Sequence, residues 1–336
     1  MTALSLPTFS VIIPTYNRAE IVARTVRHFM AQDYPPDRFE VLLVDNSTDR
    51  TPQLVEELAA ESRCSVRVIA THIRLPARKR NLGLAQAQFD YALFFNDDVW
   101  VEPNLLREHA QTHAEHDAPI AVLGLVEQST EMPWSPFQEV WRPFAYDDIA
   151  DRAHKTVPYR YFWSMNLSLP RRVMIDRNLV FHEDWAEIGH EDVELGYRWT
   201  RAGYEIVYNP RARGEHFHPM TFESGCAFAE SIGRGLRDLH VLVPDPDLLG
   251  YYGVFSRRNR PRKFVRGLIR EVLFNPWTVP FVQRWLSRRK TSYSWLAKWL
   301  GWKVMLFYCN RGFRRAPQRH PTPVPTRPLG DQMMGA

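Results

Sequence analysis

The chain of 336 residues contains only three cysteines, Cys64, Cys226 and Cys309, far apart and odd in number. They offer neither a disulfide framework nor a zinc pattern, so the expectation is a reduced, intracellular protein. Long apolar runs are also missing. The longest stretch without Asp, Glu, Lys or Arg is Met1 to Asn17, which Pro7 and Pro14 interrupt. It falls short of the ~20 residues a membrane span requires. No basic segment precedes an apolar one at the start, which argues against a secretory signal. There is no internal repeat and no recognised nucleic-acid-binding motif, so nucleic acid is not an expected partner. Acidic residues are scarce at one end. From residue 241 onward 18 Lys and Arg accompany only 4 Asp and Glu, a net +14, whereas the first 240 residues carry a net −9. An acidic body with a basic tail predicts two tasks, the tail meeting an anionic surface.

What is present suits a folded protein with a large core: 45% apolar and 24% charged residues. Phe9–Ile13, Phe39–Val44, Ser65–Ala70 and Tyr91–Phe95 read as short buried strands. Helical patterns lie between them, around Ile21–Phe29, Pro52–Ala60 and Arg80–Gln88. This alternation predicts an α/β fold with a mostly parallel sheet, in which ligands bind beyond the carboxyl ends of the strands. The polar clusters after Ile13, Val44 and Phe95 then converge on one crevice. Farther along, Ile120–Val126, Tyr161–Leu169 and Ile206–Asn209 read as strands, Val140–Lys155 as a loop and Asp192–Ala202 as a helix. The predicted divisions are residues 1–236 as catalytic domain, 237–318 as a basic, Trp-rich helical extension and 319–336 as a Pro-rich tail.

Several clusters carry candidate chemistry. Asn96-Asp97-Asp98 places adjacent carboxylates at the end of an apolar strand, a costly arrangement unless a cation neutralises them; a helix cap before Pro103 is the alternative. His190-Glu191-Asp192-Val193-Glu194 sets three carboxylates at a helix start, where the dipole favours them whatever their function. Adjacency allows only one of Glu191 and Asp192 to face the crevice, and Glu194 is expected at solvent or at Arg198. His216 and His218 share a face in an extended segment, as paired metal ligands do, although isolated histidines are usually structural. Arg78-Lys79-Arg80 supplies cations at a helix start, suited to a diphosphate or simply solvated.

Taken in order, Val11-Ile-Ile-Pro-Thr-Tyr-Asn-Arg18, Val44-Asp-Asn-Ser-Thr-Asp49, Arg80-Asn-Leu-Gly83, Phe95-Asn-Asp-Asp-Val99, Asn166-Leu-Ser168 and His190–Gly196 resemble the family-2 glycosyltransferases of GT-A fold. The resemblance spans about two thirds of the chain and leaves the last hundred residues without a family. It implies that Pro14, Thr15, Tyr16, Asn17 and Asp45 hold the base and ribose of a nucleoside-diphosphate sugar, UDP-linked first of all, and that Arg80 approaches the diphosphate. Asn96-Asp97-Asp98 matches the DXD motif, with Asp98 on a divalent metal, Mn²⁺ or Mg²⁺, and Asp97 nearer the ribose or donor sugar. His216, with His218, matches a later metal-site histidine. Asp192, beside Glu191, matches the general base of an inverting transfer. Asn96 departs from the usual first Asp. The segment after Val44 is one residue short, with Asn46 where a second Asp often stands.

A nucleotidyltransferase of similar fold is the alternative enzyme, but it would be expected to show a Gly-rich phosphate loop near the start. A non-catalytic sugar-nucleotide sensor would be expected to have lost Asp98 or Asp192, and both are present. In the tail, Trp295, Trp299, Trp302 and Leu306 share one helical stripe flanked by Lys298 and Lys303, with Arg257, Arg258, Arg260, Arg262 and Lys263 before it. The stripe suits a membrane surface on the cytoplasmic side of the inner membrane, across residues 257–315, with a saccharide or lipid-linked acceptor. The alternative is that it packs on the catalytic domain or on a second subunit.

Overall fold

In a computed structural model, residues 6–140, 146–185, 189–254, 272–289 and 291–317 are described. Phe9–Thr15 (β1), Phe39–Asp45 (β2), Ser65–Ala70 (β3) and Tyr91–Phe95 (β4) are parallel neighbours in the order β3-β2-β1-β4. Val41 to Val44 are fully buried, which is why β2 reads as a continuous apolar run rather than an alternation. The crossovers are helices Ala19–Met30 (α1), Thr51–Glu61 (α2) and Pro76–Gln86 (α3). α3 starts at Pro76, four residues before the expected Arg80. Proline suits a first helical turn, because its missing N–H has no partner there in any case.

Beyond β4 the sheet changes character. Val99–Val101 (β5), helix Leu105–Ala114 (α4), Ile120–Gln128 (β6), Asn166–Pro170 (β7) and helix Arg171–Asp176 (α5) follow. Then come helix Glu191–Arg201 (α6) and Glu205–His216 (β8), completing an eight-stranded sheet β3-β2-β1-β4-β7-β6-β8-β5. β7 is antiparallel to both β4 and β6, and β5 is antiparallel to β8. The predicted strand Tyr161–Leu169 is corrected: Tyr159–Tyr161 is a short 3-10 turn, and only Asn166 onward pairs. The aromatic run mimicked a strand because Tyr161, Phe162 and Trp163 are buried in the core from a turn. The last strand, expected to end at Asn209, continues to His216 past Pro210, with a register shift opposite Gly124/Leu125. Inside the expected loop of 140–155, residues Tyr146–Arg152 form a 3-10 segment.

The Asn166-Leu-Ser168 motif lies fully buried on β7. Its polar atoms meet α4, with His109 Nδ1 2.8 Å from Ser168 Oγ, His109 Nε2 2.9 Å from Asn166 Oδ1, and His113 Nε2 2.7 Å from Ser168 Oγ. Burial pushes His109 down to about 4, so the network is neutral at pH 7 and braces the sheet.

After the sheet the described chain is helical: Phe222–Leu242 (α7), Leu248–Tyr251 (α8), Val279–Ser287 (α9) and Trp295–Arg315 (α10). α7 runs unbroken through residues 236 and 237, so the division expected where strands give way to a helical, basic and aromatic chain falls inside a helix. α10 packs on α7 with Ala297, Val304, Met305, Cys309 and Phe313 buried. A Cβ at Gly233 would overlap the Cys309 carbonyl, and one at Gly312 that of Glu230, so glycine is what lets the two backbones meet. Arg311 Nε donates to Glu230 Oε1 at 2.9 Å across the same seam. The expected tail 319–336 and the arginines at 257–262 lie outside the described residues.

Candidate active site

The loops after β1, β2 and β4 meet as the alternation predicts. Asn17 sits in the left-handed region (φ 50°), a conformation asparagine tolerates better than most residues. There its backbone N–H donates to Ser47 Oγ at 2.7 Å, and its Oδ1 accepts from Thr48 N at 2.8 Å. Asp45 Oδ1 accepts from Ser47 N at 2.9 Å. Lys79, buried in α3, donates to the Thr15 carbonyl and to Asn46 Oδ1, both at 2.5 Å. The residue standing where a second Asp often occurs is therefore tied to a buried ammonium, whose pKa burial lowers. Pro14 lies within β1, which runs past the expected Ile13 to Thr15, and Tyr16 just beyond it is 54% exposed.

Behind this cradle lie Asp97 and Asp98, both buried. Thr15 Oγ1 donates to Asp97 Oδ2 at 2.8 Å. Arg18, at the start of α1, reaches both carboxylates, with Nη1 2.7 Å from Asp97 Oδ1 and 2.7 Å from Asp98 Oδ2. Its Nη2 lies 2.9 Å from His218 Nδ1. The two carboxyls separate electrostatically. Burial and the charge of Asp98 push Asp97 upward, while His216, His218 and Arg18 overcome burial and hold Asp98 well below the usual carboxylate range.

β5–β8 pairing brings His216 to the same place, opposite Val99. His216 Nε2 lies 3.2 Å from Asp98 Oδ1, His218 Nδ1 lies 2.8 Å from Asp98 Oδ2, and the two imidazoles stack with centroids 5.4 Å apart. One ligand atom from each of Asp98, His216 and His218 falls within 4.8 Å of the others. Asp98 Oδ1 is buried beside His216 Nε2 without a well-directed hydrogen bond, which leaves this acceptor open to a cation. A carboxylate with two imidazoles fits a first-row divalent ion, the oxygen suiting Mn²⁺ and the imidazoles suiting later ions such as Fe²⁺ or Zn²⁺.

Arg80 links this cluster to the second carboxylate group. Its Nη2 donates to Asn96 Oδ1 at 3.2 Å and its Nη1 to Glu191 Oε1 at 3.0 Å, while the buried Nε has no partner. Gly189 (φ 106°) and His190 (φ 70°) both take left-handed backbone ahead of α6, and this turn aims the carboxylates. Glu191 is buried against Arg80 and the Gly189 N–H. Asp192 is half-buried, with Oδ2 accepting from Ser164 N at 3.1 Å. Glu194 pairs with Arg198 as expected, at 2.7 Å, but is buried rather than facing solvent. Burial and the neighbouring Glu191 charge push the Asp192 carboxyl up to about 7.

Arg18 has no role that its sequence position announces, although it contacts both Asp97 and Asp98. A basic residue just after a turn carries the same signal as a solvated one.

Residues 10–168 match the family described as glycosyl transferase family 2. The amylovoran biosynthesis glycosyltransferase AmsB of Erwinia amylovora is 31% identical over 246 residues, covering 70% of this chain and 78% of AmsB. The chain belongs to glycosyltransferase family 2. It is also 32% identical over 133 residues to the poly(ribitol-phosphate) beta-N-acetylglucosaminyltransferase TarS of Staphylococcus aureus, covering 39% of this chain but only 23% of TarS. Among solved structures, the mannosyltransferase PcManGT of Pyrobaculum calidifontis, in complex with GDP-Man and Mn²⁺, superposes with a TM-score of 0.62 at 18% identity, covering 93% of this chain and 88% of that one. That likeness carries the fold, so the family-2 chain has the GT-A architecture, mixed α/β with a mostly parallel central sheet, and a helical basic extension after it. No described helix is long and apolar enough to cross a membrane.

Proposed function

We propose that this glycosyltransferase moves a sugar from a nucleoside-diphosphate sugar, UDP-linked in the first instance, to an acceptor hydroxyl with inversion at the anomeric carbon. The observation that carries the reading is the Asn96–Arg80–Glu191 chain of hydrogen bonds, which joins the Asp98–His216–His218 cluster to the helix bearing Asp192. The catalytic unit is the part built on the eight-stranded sheet, which ends with β8 at His216, and the helices from α7 onward form the extension. In this reading Pro14, Thr15, Tyr16, Asn17 and Asp45 take the base and ribose, and Asp97 orients the ribose or donor sugar. Arg80 turns from its present partners toward the diphosphate, its unpartnered Nε being available for it. Asp98, His216 and His218 hold Mn²⁺ or Mg²⁺. Such an ion supplies positive charge against the departing diphosphate.

Asp192 accepts the proton of the acceptor hydroxyl as that oxygen attacks. Glu191 holds Arg80 until the diphosphate takes its place, and its charge, with burial, keeps the Asp192 pKa high. The reading is supported by relatives whose names describe transfer of N-acetylglucosamine to poly(ribitol phosphate) and glucose to validoxylamine A. A saccharide or lipid-linked acceptor at the cytoplasmic membrane surface fits the same reading.

The test is a panel of UDP- and GDP-sugars with saccharide and lipid acceptors and Mn²⁺, scored for nucleoside diphosphate release and for the anomer of the product. Acceptor-dependent release with inversion is expected. A product of retained configuration, or inorganic pyrophosphate in place of the diphosphate, would overturn it.

Two predictions follow from the site electrostatics. A base with a pKa near 7 is charged only above that pH. The value of kcat/KM should therefore rise about tenfold per pH unit on an acidic limb and level off near pH 7. In Glu191→Gln, loss of the neighbouring negative charge should move that limb to lower pH. A limb that stays in place would remove Glu191 from the account. Arg18 competes for Asp98 Oδ2 with any cation bound there. Arg18→Met should therefore tighten Mn²⁺ binding without donor by about tenfold, and weaker binding by titration calorimetry would contradict this.

A further inference from the structure

Nine of the fourteen exposed large apolar side chains among the described residues lie between residues 272 and 302. On α9 and the turn before it, Trp277, Phe281 and Trp285 repeat at four-residue spacing, with Trp277 83% and Phe281 74% exposed. On α10, Trp295 is 79% exposed, and Trp299 and Trp302 follow it on the outer side. The two helices pack on each other, joined by the Tyr308 hydroxyl donating to Gln283 Oε1 at 2.5 Å and by Phe274 against Trp299 at 5.9 Å. The predicted tryptophan stripe thus faces outward, while a different face of α10 packs on α7. Leu306 is the exception, half-buried with its methyls against Gly253.

The two helices themselves carry cations and no acidic residue, although Glu139 from outside them pairs with Lys298 at 2.8 Å. No Asp or Glu occurs between Glu271 and Asp331, an interval with 11 Lys and Arg. Cations sit at the rings themselves: the Arg289 guanidinium lies 4.1 Å from the Trp285 centroid and the Lys303 Nζ 5.5 Å from that of Trp299. A second copy is a poor occupant, because a two-fold contact would set this basic surface against itself. An acidic protein would satisfy the charge. Tryptophans interleaved with Lys and Arg on short in-plane helices suit the headgroup boundary of a bilayer better.

We infer that α9 and α10 form a monotopic docking face for an anionic lipid bilayer, with Trp277, Phe281 and Trp295 inserting at the interface and Arg289 and Lys303 meeting lipid phosphates. Such a face would hold the chain at a membrane although no described helix is long and apolar enough to cross one.

The test is sedimentation of the full chain with large unilamellar vesicles of phosphatidylcholine alone or with one quarter phosphatidylglycerol. Binding to the anionic vesicles is expected, weaker by at least about tenfold on neutral vesicles or in 0.5 M salt. Combined Trp277→Ser, Phe281→Ser and Trp295→Ser should weaken it by about tenfold or more with thermal unfolding unchanged. Wild-type tryptophan fluorescence should be quenched by lipid brominated in the acyl chain, a readout that needs no variant. No binding, equal binding to both vesicles, undiminished binding of the triple variant, or a dimer in sedimentation equilibrium that the same substitutions dissociate would each overturn the inference. No donor sugar enters the assay, so its failure and the failure of the transferase reading are distinguishable.

Discussion

Asp192→Asn is expected to lower kcat by about 10²–10⁴-fold, the usual contribution of a positioned general base, while leaving donor affinity within about threefold. The side chain keeps its shape and its acceptor oxygen for Ser164, so the helix start survives. What is lost is the one carboxylate of this group free of an arginine. Glu191 is held by Arg80 and Glu194 by Arg198, and neither is disposed to take a proton from an incoming hydroxyl. Steady-state kinetics on the donor identified from the panel checks it. An Asn variant with near-normal kcat would move the base to another residue.

Asp98→Ala should be damaging on the same scale, at about 10³-fold or more in kcat/KM, in line with the several kcal/mol a bound cation contributes at a departing diphosphate. Asp98 is the sole carboxylate of the three-residue cluster, and both its oxygens face imidazoles. His216→Ala and His218→Ala should each cost less, since the carboxylate and one imidazole remain. Asp98→Asn keeps the volume and serves as the folding control, because Ala would leave Arg18 and both histidines around an empty space. An Asp98→Ala enzyme with wild-type turnover, still sensitive to chelation, would mean that the metal is held elsewhere.

Most of the parallel half of the fold was legible because β1, β2 and β4 are buried on both faces, and Phe9–Ile13, Phe39–Val44 and Tyr91–Phe95 announce themselves as mostly apolar runs. The other half was legible in part: Ile120–Val126 lies within β6, whereas the strands expected at 161–169 and 206–209 differ at their ends and β5 was missed. β5 is three residues long, and β8 carries Pro210, Arg211 and Arg213 through a bulge, so neither shows a clean period. α4 hides its inner face behind His109 and His113, polar residues that only their contacts with Ser168 and Asn166 explain. In the crevice, the motif residues were visible one by one, and the geometry brings Asp98, His216 and His218 together. Partners set by tertiary contact were not visible: Arg18 on the acidic pair, Lys79 on Asn46, and Arg80 between Asn96 and Glu191. The left-handed turn at Gly189 and His190 was also beyond reach, because a histidine at positive φ has no sequence signature.

The central claim is that Asp98 binds the cation and Asp192 performs the proton transfer, two separable tasks in one crevice. Titration of Mn²⁺ followed by electron paramagnetic resonance, on the wild type, Asp98→Ala and Asp192→Asn, tests it most directly. The account predicts one site in the wild type, the same site and affinity in Asp192→Asn, and loss of that site in Asp98→Ala. A site that survives in Asp98→Ala, or one that disappears in Asp192→Asn, would contradict it.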